Sequence, residues 1–227
     1  ARRHPVIGHR EHFDRLSHEN LLAYHRSRYT PSRAIVVVSG DIDEQEVKRE
    51  IVRLLGDLPM GDLVEPALPS EIAGMGASVK QQDFAVSTTR TILGWKTPSM
   101  REKDFAVYSV AAAVLGRGQS SLLYRELREN QELAIEIGAW AWCLGWGDGL
   151  VAISAEAEPE RVTALHQQVE LLLQSAQQLD LSWHLQRVKR QIMVAQLRGL
   201  TTASGRANDL ASNWHVARDL NLSLIHI

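Results

Sequence analysis

Leu115-Gly116-Arg117-Gly118-Gln119-Ser120-Ser121-Leu122-Leu123-Tyr124, continued by Leu127-Arg128-Glu129, is the stretch on which the fold turns. The glycines break a helical pattern that runs over 102–115, and a second helix is expected from about 120 to 128. On the N-terminal side, 77–86 and 89–95 read as two strands, the second being Thr91-Ile92-Leu93-Gly94-Trp95. On the C-terminal side, strands are expected at 134–143 and 149–156. Pro159 then opens a long helix with Val162, Leu165, Val169 and Leu172 along one side. Ser182 is the expected cap of another, whose Leu185, Val188, Ile192 and Ala195 form a stripe for burial, and a last helix is expected over 203–220. Strands cluster and helices cluster. The class is therefore α+β, a mainly antiparallel sheet covered by helices on one face.

Farther upstream, Pro59, Gly61, Pro66, Pro69, Gly74 and Gly76 lie in a segment with little periodicity, which predicts a linker over 59–76. Before it, Ser17 caps a helix that carries Leu21, Leu22, Tyr24 and His25 and stops at Pro31. Ala34-Ile35-Val36-Val37-Val38-Ser39-Gly40 has the β-branched composition of an inner strand. Asp43 and Glu46, spaced as in a capping box, precede a helix with Val47, Ile51, Leu54 and Leu55 on one face. The expected organisation is a truncated first domain over 1–58, the linker, and a second domain over 77–221. The last six residues, Leu222-Ser223-Leu224-Ile225-His226-Ile227, look like a translated sequencing-library adapter and are set aside from the fold argument.

Composition narrows the function classes. Of 227 residues, 44% are hydrophobic and 23% charged, enough apolar material for a real core. The formal charge of −2, from 25 basic and 27 acidic residues, gives no broad field for nucleic acid or anionic lipid. A single cysteine, Cys143, excludes an intrachain disulfide and a cysteine-rich zinc cage, and it leaves the compartment, periplasm or cytoplasm, open. No apolar run approaches the roughly 20 residues that span a bilayer.

Four blocks, in order, resemble the pitrilysin (insulinase) family of zinc peptidases over 4–221. They are His4-Pro5 followed by Val6-Ile7-Gly8, then His25 with Tyr29-Thr30-Pro31-Ser32, then Val37-Val38-Ser39-Gly40-Asp41, and finally the 115–129 block quoted above, which is the most specific. The resemblance implies a zinc-dependent endopeptidase acting on peptides or unfolded polypeptides, built from homologous α+β domains forming two halves of a chamber. Zinc in that family is held by an inverted H-x-x-E-H helix and a distant glutamate. The resemblance places these upstream of residue 1, so the expectation is zinc in the parent protein, no metal ligand and no catalytic residue in this chain. The other half of the chamber is expected on the same chain or in a partner subunit. The alternative is a non-catalytic structural or partner subunit of the same family.

Gly8-His9-Arg10-Glu11-His12 lacks the first histidine of the inverted motif, and His9 and His12 read as surface histidines. Gly116-Arg117-Gly118 offers amides that could cradle an anion, but it matches neither a P-loop nor a dinucleotide fingerprint, and a turn capped by Ser120 or Ser121 is the expectation. Arg128 is the position to which the resemblance lends a substrate-binding role, alongside a tyrosine seven residues later whose place is taken by Ile135. Isoleucine donates no hydrogen bond, so Tyr124 or another residue would have to substitute. The ordinary reading of Arg128 is a cation near a helix end. Trp140 and Trp142 alternate and should share one sheet face as core or chamber lining, since no basic groove accompanies them.

Overall fold

The computed structural model describes residues 6–62, 76–99, 104–144 and 147–220. Two compact units divide the chain, Ala1–Gln82 and Asp83–Ile227. The adapter-like residues 222–227 and the expected helix start near 102 lie outside the described residues.

Among the described residues the first unit contains three α-helices: α1 (Arg10–Phe13), α2 (His18–Arg28) and α3 (Glu44–Leu55). Ser17 caps α2 as its sequence predicts, its hydroxyl accepting from the Asn20 amide while Asn20 returns the bond to the Ser17 amide. Asp43 caps α3 by accepting from the amides of Gln45 and Glu46. None of the three helices buries a residue. Segment 34–40 is a correction: Ala34 is extended, yet the segment joins no ladder among the described residues. Composition makes a segment fit for a sheet, but a strand exists only when a neighbour supplies its hydrogen bonds. Ile35, Val36 and Val38 are accordingly exposed.

The second unit holds a three-stranded antiparallel sheet in the order β1-β3-β2, with β1 at Thr89–Thr97, β2 at Glu136–Leu144 and β3 at Gly147–Ala157. No strand is present over 77–86; the ladder starts at Thr89, opposite Ala157. The central strand gives each face its character. Leu93, Ile153 and Ala139 lie opposite one another, as do Thr91, Ala155 and Ile137, and this face enters the core. The alternate face carries Ile92, Ala152, Trp140, Leu150 and Trp142, so the two tryptophans share a face as expected, each about half exposed.

Helices α4 (Phe105–Gly116), α5 (Val162–Ala176), α6 (Ser182–Gly199) and α7 (Ala203–Ala217) complete this unit, with a π-helix at Tyr124–Asn130. Leu165 and Val169 of α5 pack with Leu123, Leu127, Ile137 and Ile153 in the main core, and Val162 and Leu172 lie against it as their spacing predicts. Burying side chains of this size stabilises the fold by roughly 1.5–3 kcal/mol each. Thr91 Oγ1 and His166 Nε2, 2.8 Å apart, tie β1 to α5. A second cluster joins Val110, Ala113 and Val114 of α4 to Val188 of α6.

Four expectations differ from the structure. The helix over 120–128 is mostly a π-helix. Ser182 is already helical and does not cap α6: Leu181 holds the N-cap position without a side-chain capping bond, and the Asp180 carboxylate just before it accepts from the Ser182 amide. On α6 only Val188 and the partly buried Ile192 of the expected stripe enter the core; Leu185 and Ala195 are exposed. Helix α7 ends earlier than 220, where Arg218 turns left-handed at φ 57°.

Candidate functional site

Arg128 stands on the π-helix, and its surroundings follow from that helix outward. Leu123 and Leu127 are fully buried. Tyr124 and Arg128, one residue further along, lie on the outward side. The wider turn is recorded in the Gln131 amide donating five residues back to Glu126 O. Amides of Leu133 and Ala134 both donate to Leu127 O, and Arg161 Nη1 donates to the carbonyl of Glu132, which is left-handed at φ 53°. These bonds reverse the chain into β2 and fix the base of the helix. Glu126 accepts from Gln131 and Asn130, which hold its carboxyl below the usual range.

Arg128 itself is exposed, with its guanidinium carbon 4.8 Å from the centre of the Tyr124 ring. The ring's negative face attracts the cation without consuming its N–H donors. Among the described residues no carboxylate pairs with it. The arrangement presents a guanidinium of restricted direction, able to donate to a carbonyl or carboxylate. Ile135, at the tyrosine's place, is exposed, and its amide donates to Glu156 O beside the β2–β3 ladder.

The glycine turn sits where α4 meets the sheet. A side chain at Gly116 would put Cβ 1.9 Å from Ala139 N and 2.6 Å from Gly138 C, so only glycine allows the helix end this close to β2. Gly118 adopts φ 82°. Neither serine caps as expected: Ser120 Oγ accepts from Arg187 Nη1, and the buried Ser121 hydroxyl has no partner among the described residues. Helix α6 faces this turn across a cleft of about 700 Å³ lined by Arg117, Gly118, Trp183, Arg187, Arg190 and Arg198, among others.

Sequence reasoning missed this arginine cleft. Its available signal was the run 182–199, which holds Arg187, Lys189, Arg190 and Arg198 and no acidic residue. Arg187 is the tethered member: Nη1 donates to Arg117 O and Ser120 Oγ at 3.1 Å each, its guanidinium carbon lies 5.8 Å from the Trp183 ring centre, and burial pushes its pKa below the ordinary value. The neighbouring His184 is also pushed down, first by burial and then by Arg187 and Arg125.

The histidines near the start do not assemble a metal centre. The rings of His9, at the N-cap of the short α1, and of His12 within it stand 5.9 Å apart edge to face, and no group of three or more His, Cys, Asp or Glu gathers among the described residues to hold a metal ion. Zinc needs at least three protein donors in a catalytic site. The described donor set does not fit it.

Comparison with known proteins now places the chain. The profile of the peptidase M16 inactive domain matches residues 15–192. A zinc protease of Mycobacterium leprae is 29% identical over 175 residues, covering 75% of this chain and 39% of that protein. Among solved structures, a protease from Helicobacter pylori superposes with a TM-score of 0.75 at 23% identity, covering 96% of this chain and 56% of that one. The peptidase M16 inactive domain from Pseudomonas fluorescens gives a TM-score of 0.75 at 18% identity, covering 96% and 51%. The chain therefore spans less than two thirds of each of these proteins. With the profile covering most of its length and the α+β fold shared, this chain belongs to the peptidase M16 family, the pitrilysin or insulinase group of zinc metallopeptidases.

Proposed function

We propose that this chain is part of a zinc-dependent endopeptidase that cleaves peptides or unfolded polypeptides, contributing wall and substrate contact while another part of the parent protein grips the metal. The observation that carries the reading is Arg128, exposed, unpaired with any carboxylate among the described residues, and set against Tyr124 on a π-helix. Such a group holds a peptide carbonyl or carboxylate and does not itself break a bond. Since Ile135 donates no hydrogen bond, Tyr124, whose ring lies against Arg128, is the donor proposed to replace it. The zinc-protease names of the relatives support the reaction class. The exposed apolar residues of 34–40 support the remaining assignment: residues 1–58 close a first domain whose other strands lie elsewhere in the parent, 59–76 link, and 77–221 form the second domain.

The test is made on the parent protein with a quenched fluorescent peptide. Cleavage should be stopped by a chelator, and Arg128→Ala should lower kcat/KM by about 10- to 100-fold, the worth of a hydrogen bond to a charged group. Arg128→Lys should fall between, keeping charge and losing the planar fork. Unchanged kcat/KM in Arg128→Ala would remove Arg128 from the substrate site. One observation favours a second reading, a non-catalytic partner subunit: Ile135 leaves an exposed aliphatic group where a hydrogen-bond donor is expected. An upstream sequence without an intact H-x-x-E-H would establish that alternative.

A further inference from the structure

The cleft between the Gly116–Gln119 turn and α6 concentrates positive charge in a chain whose overall charge is −2. Arg117, Arg187, Arg190 and Arg198 line it, and none has a carboxylate partner among the described residues. On α3 the cations find acidic neighbours on their own helix, Lys48 with Glu44 and Arg53 with Glu50. Helix α6 has no acidic residue with which to do so.

Arg187 shows that the charge is not simply solvated. Its Nη1 is anchored to the turn, while Nε and Nη2 are shielded from water and have no acceptor among the described residues. A partly desolvated cation with orphan donors raises the free energy of the empty cleft, and a nearby anion offsets that cost. The exposed Arg117, Arg190 and Arg198 are free to move onto such an anion. Apolar surface lies among these charges: Trp183, more than half exposed, with Val194 and Ala195.

We propose that this cleft binds an acidic, apolar-interspersed stretch of polypeptide, its carboxylates on Arg190, Arg198 and Arg117 and its apolar side chains on Trp183 and Val194. Planar carboxylates match the guanidinium fork. The alternation of arginines with Trp183, Val194 and Ala195 matches a chain that carries both kinds of side chain, which a small inorganic anion lacks. That the bound polypeptide is a substrate rests on the endopeptidase reading; the binding itself stands on the cleft.

The test uses fluorescence anisotropy with the full 227-residue chain and a labelled dodecapeptide of alternating Glu and Phe, beside the same peptide with Gln for every Glu. The acidic peptide should bind at least about tenfold tighter than its Gln counterpart, and the preference should shrink as salt rises above about 0.15 M. Arg190→Glu with Arg198→Glu should weaken the acidic peptide about tenfold or more. Arg26→Glu with Arg49→Glu makes the same change of net charge on the first unit and should leave binding nearly unaltered. Circular dichroism and melting of both double variants check that each remains folded. Equal binding of the two peptides, equal loss in the two double variants, or full displacement by millimolar inorganic phosphate at the peptide's own affinity would each overturn the proposal. Cleavage of a neutral peptide by the parent protein is a separate readout, so failure here is distinguishable from failure of the endopeptidase reading.

Discussion

Gly116→Ala adds one methyl group, and the structure says where it would go. The new Cβ would meet Ala139 N at 1.9 Å, Gly138 C at 2.6 Å and Ala139 Cα at 2.7 Å, all backbone atoms of β2. No side-chain rotation relieves such a contact; either the end of α4 or the strand must move. Overpacking of this kind costs about 1–3 kcal/mol, and an obstruction made of backbone belongs at the upper end. Alanine's better helix propensity returns at most about 1 kcal/mol at this terminal helical position. The net loss should be about 2 kcal/mol, or a fall of roughly 4–8 °C in melting temperature for a domain of this size. Gly199, the last residue of α6, supplies the matched control, with nothing within 4 Å of its would-be Cβ. Thermal melts followed by far-UV circular dichroism should show Gly116→Ala well below the parent sequence and Gly199→Ala within about 2 °C of it. Equal melting of the two variants would refute the claim that α4 is seated directly on β2.

Two further changes probe the core and its electrostatics. Leu127→Ala, at a fully buried position in the main cluster, should cost about 2–5 kcal/mol in urea unfolding and loosen the π-helix that carries Arg128; a loss below about 1 kcal/mol would contradict the assigned packing. His184 has its pKa lowered by burial and by Arg187 and Arg125. The unfolded chain then binds the proton more readily, so stability should be complete above the ordinary histidine pKa and fall as pH drops through about 6.5 towards the folded value. In His184→Gln that part of the acid dependence should vanish, and an unchanged pH profile would show the histidine to be solvated.

Much of the second unit was legible because its patterns are local. The face of α5 is set by Val162, Leu165, Val169 and Leu172, and the common side of Trp140 and Trp142 by strand alternation. What sequence could not supply were relations between distant segments. Residues 34–40 have strand composition, but a ladder needs a partner that no pattern within the segment reveals. A π-helix differs from an α-helix by one residue in its bonding step, which leaves the apolar spacing of Leu123 and Leu127 unaltered. Asp180 and Ser182 are both good capping types, and only the backbone path puts Ser182 inside α6 and leaves Asp180 to accept from its amide. The site divides in the same way. Arg128 came from a motif, whereas the cleft with Arg187 required α6 to be brought against the turn at Arg117, seventy residues away in sequence.

In the proposed assignment, peptide hydrolysis depends on metal ligands supplied elsewhere in the parent protein. The most direct measurement is turnover of a quenched fluorescent peptide by the purified chain supplied with one equivalent of zinc, with and without chelator. The rate should equal that of the same zinc in buffer. Multiple turnovers that a chelator abolishes and fresh zinc restores would mean that a metal centre forms within this chain after all.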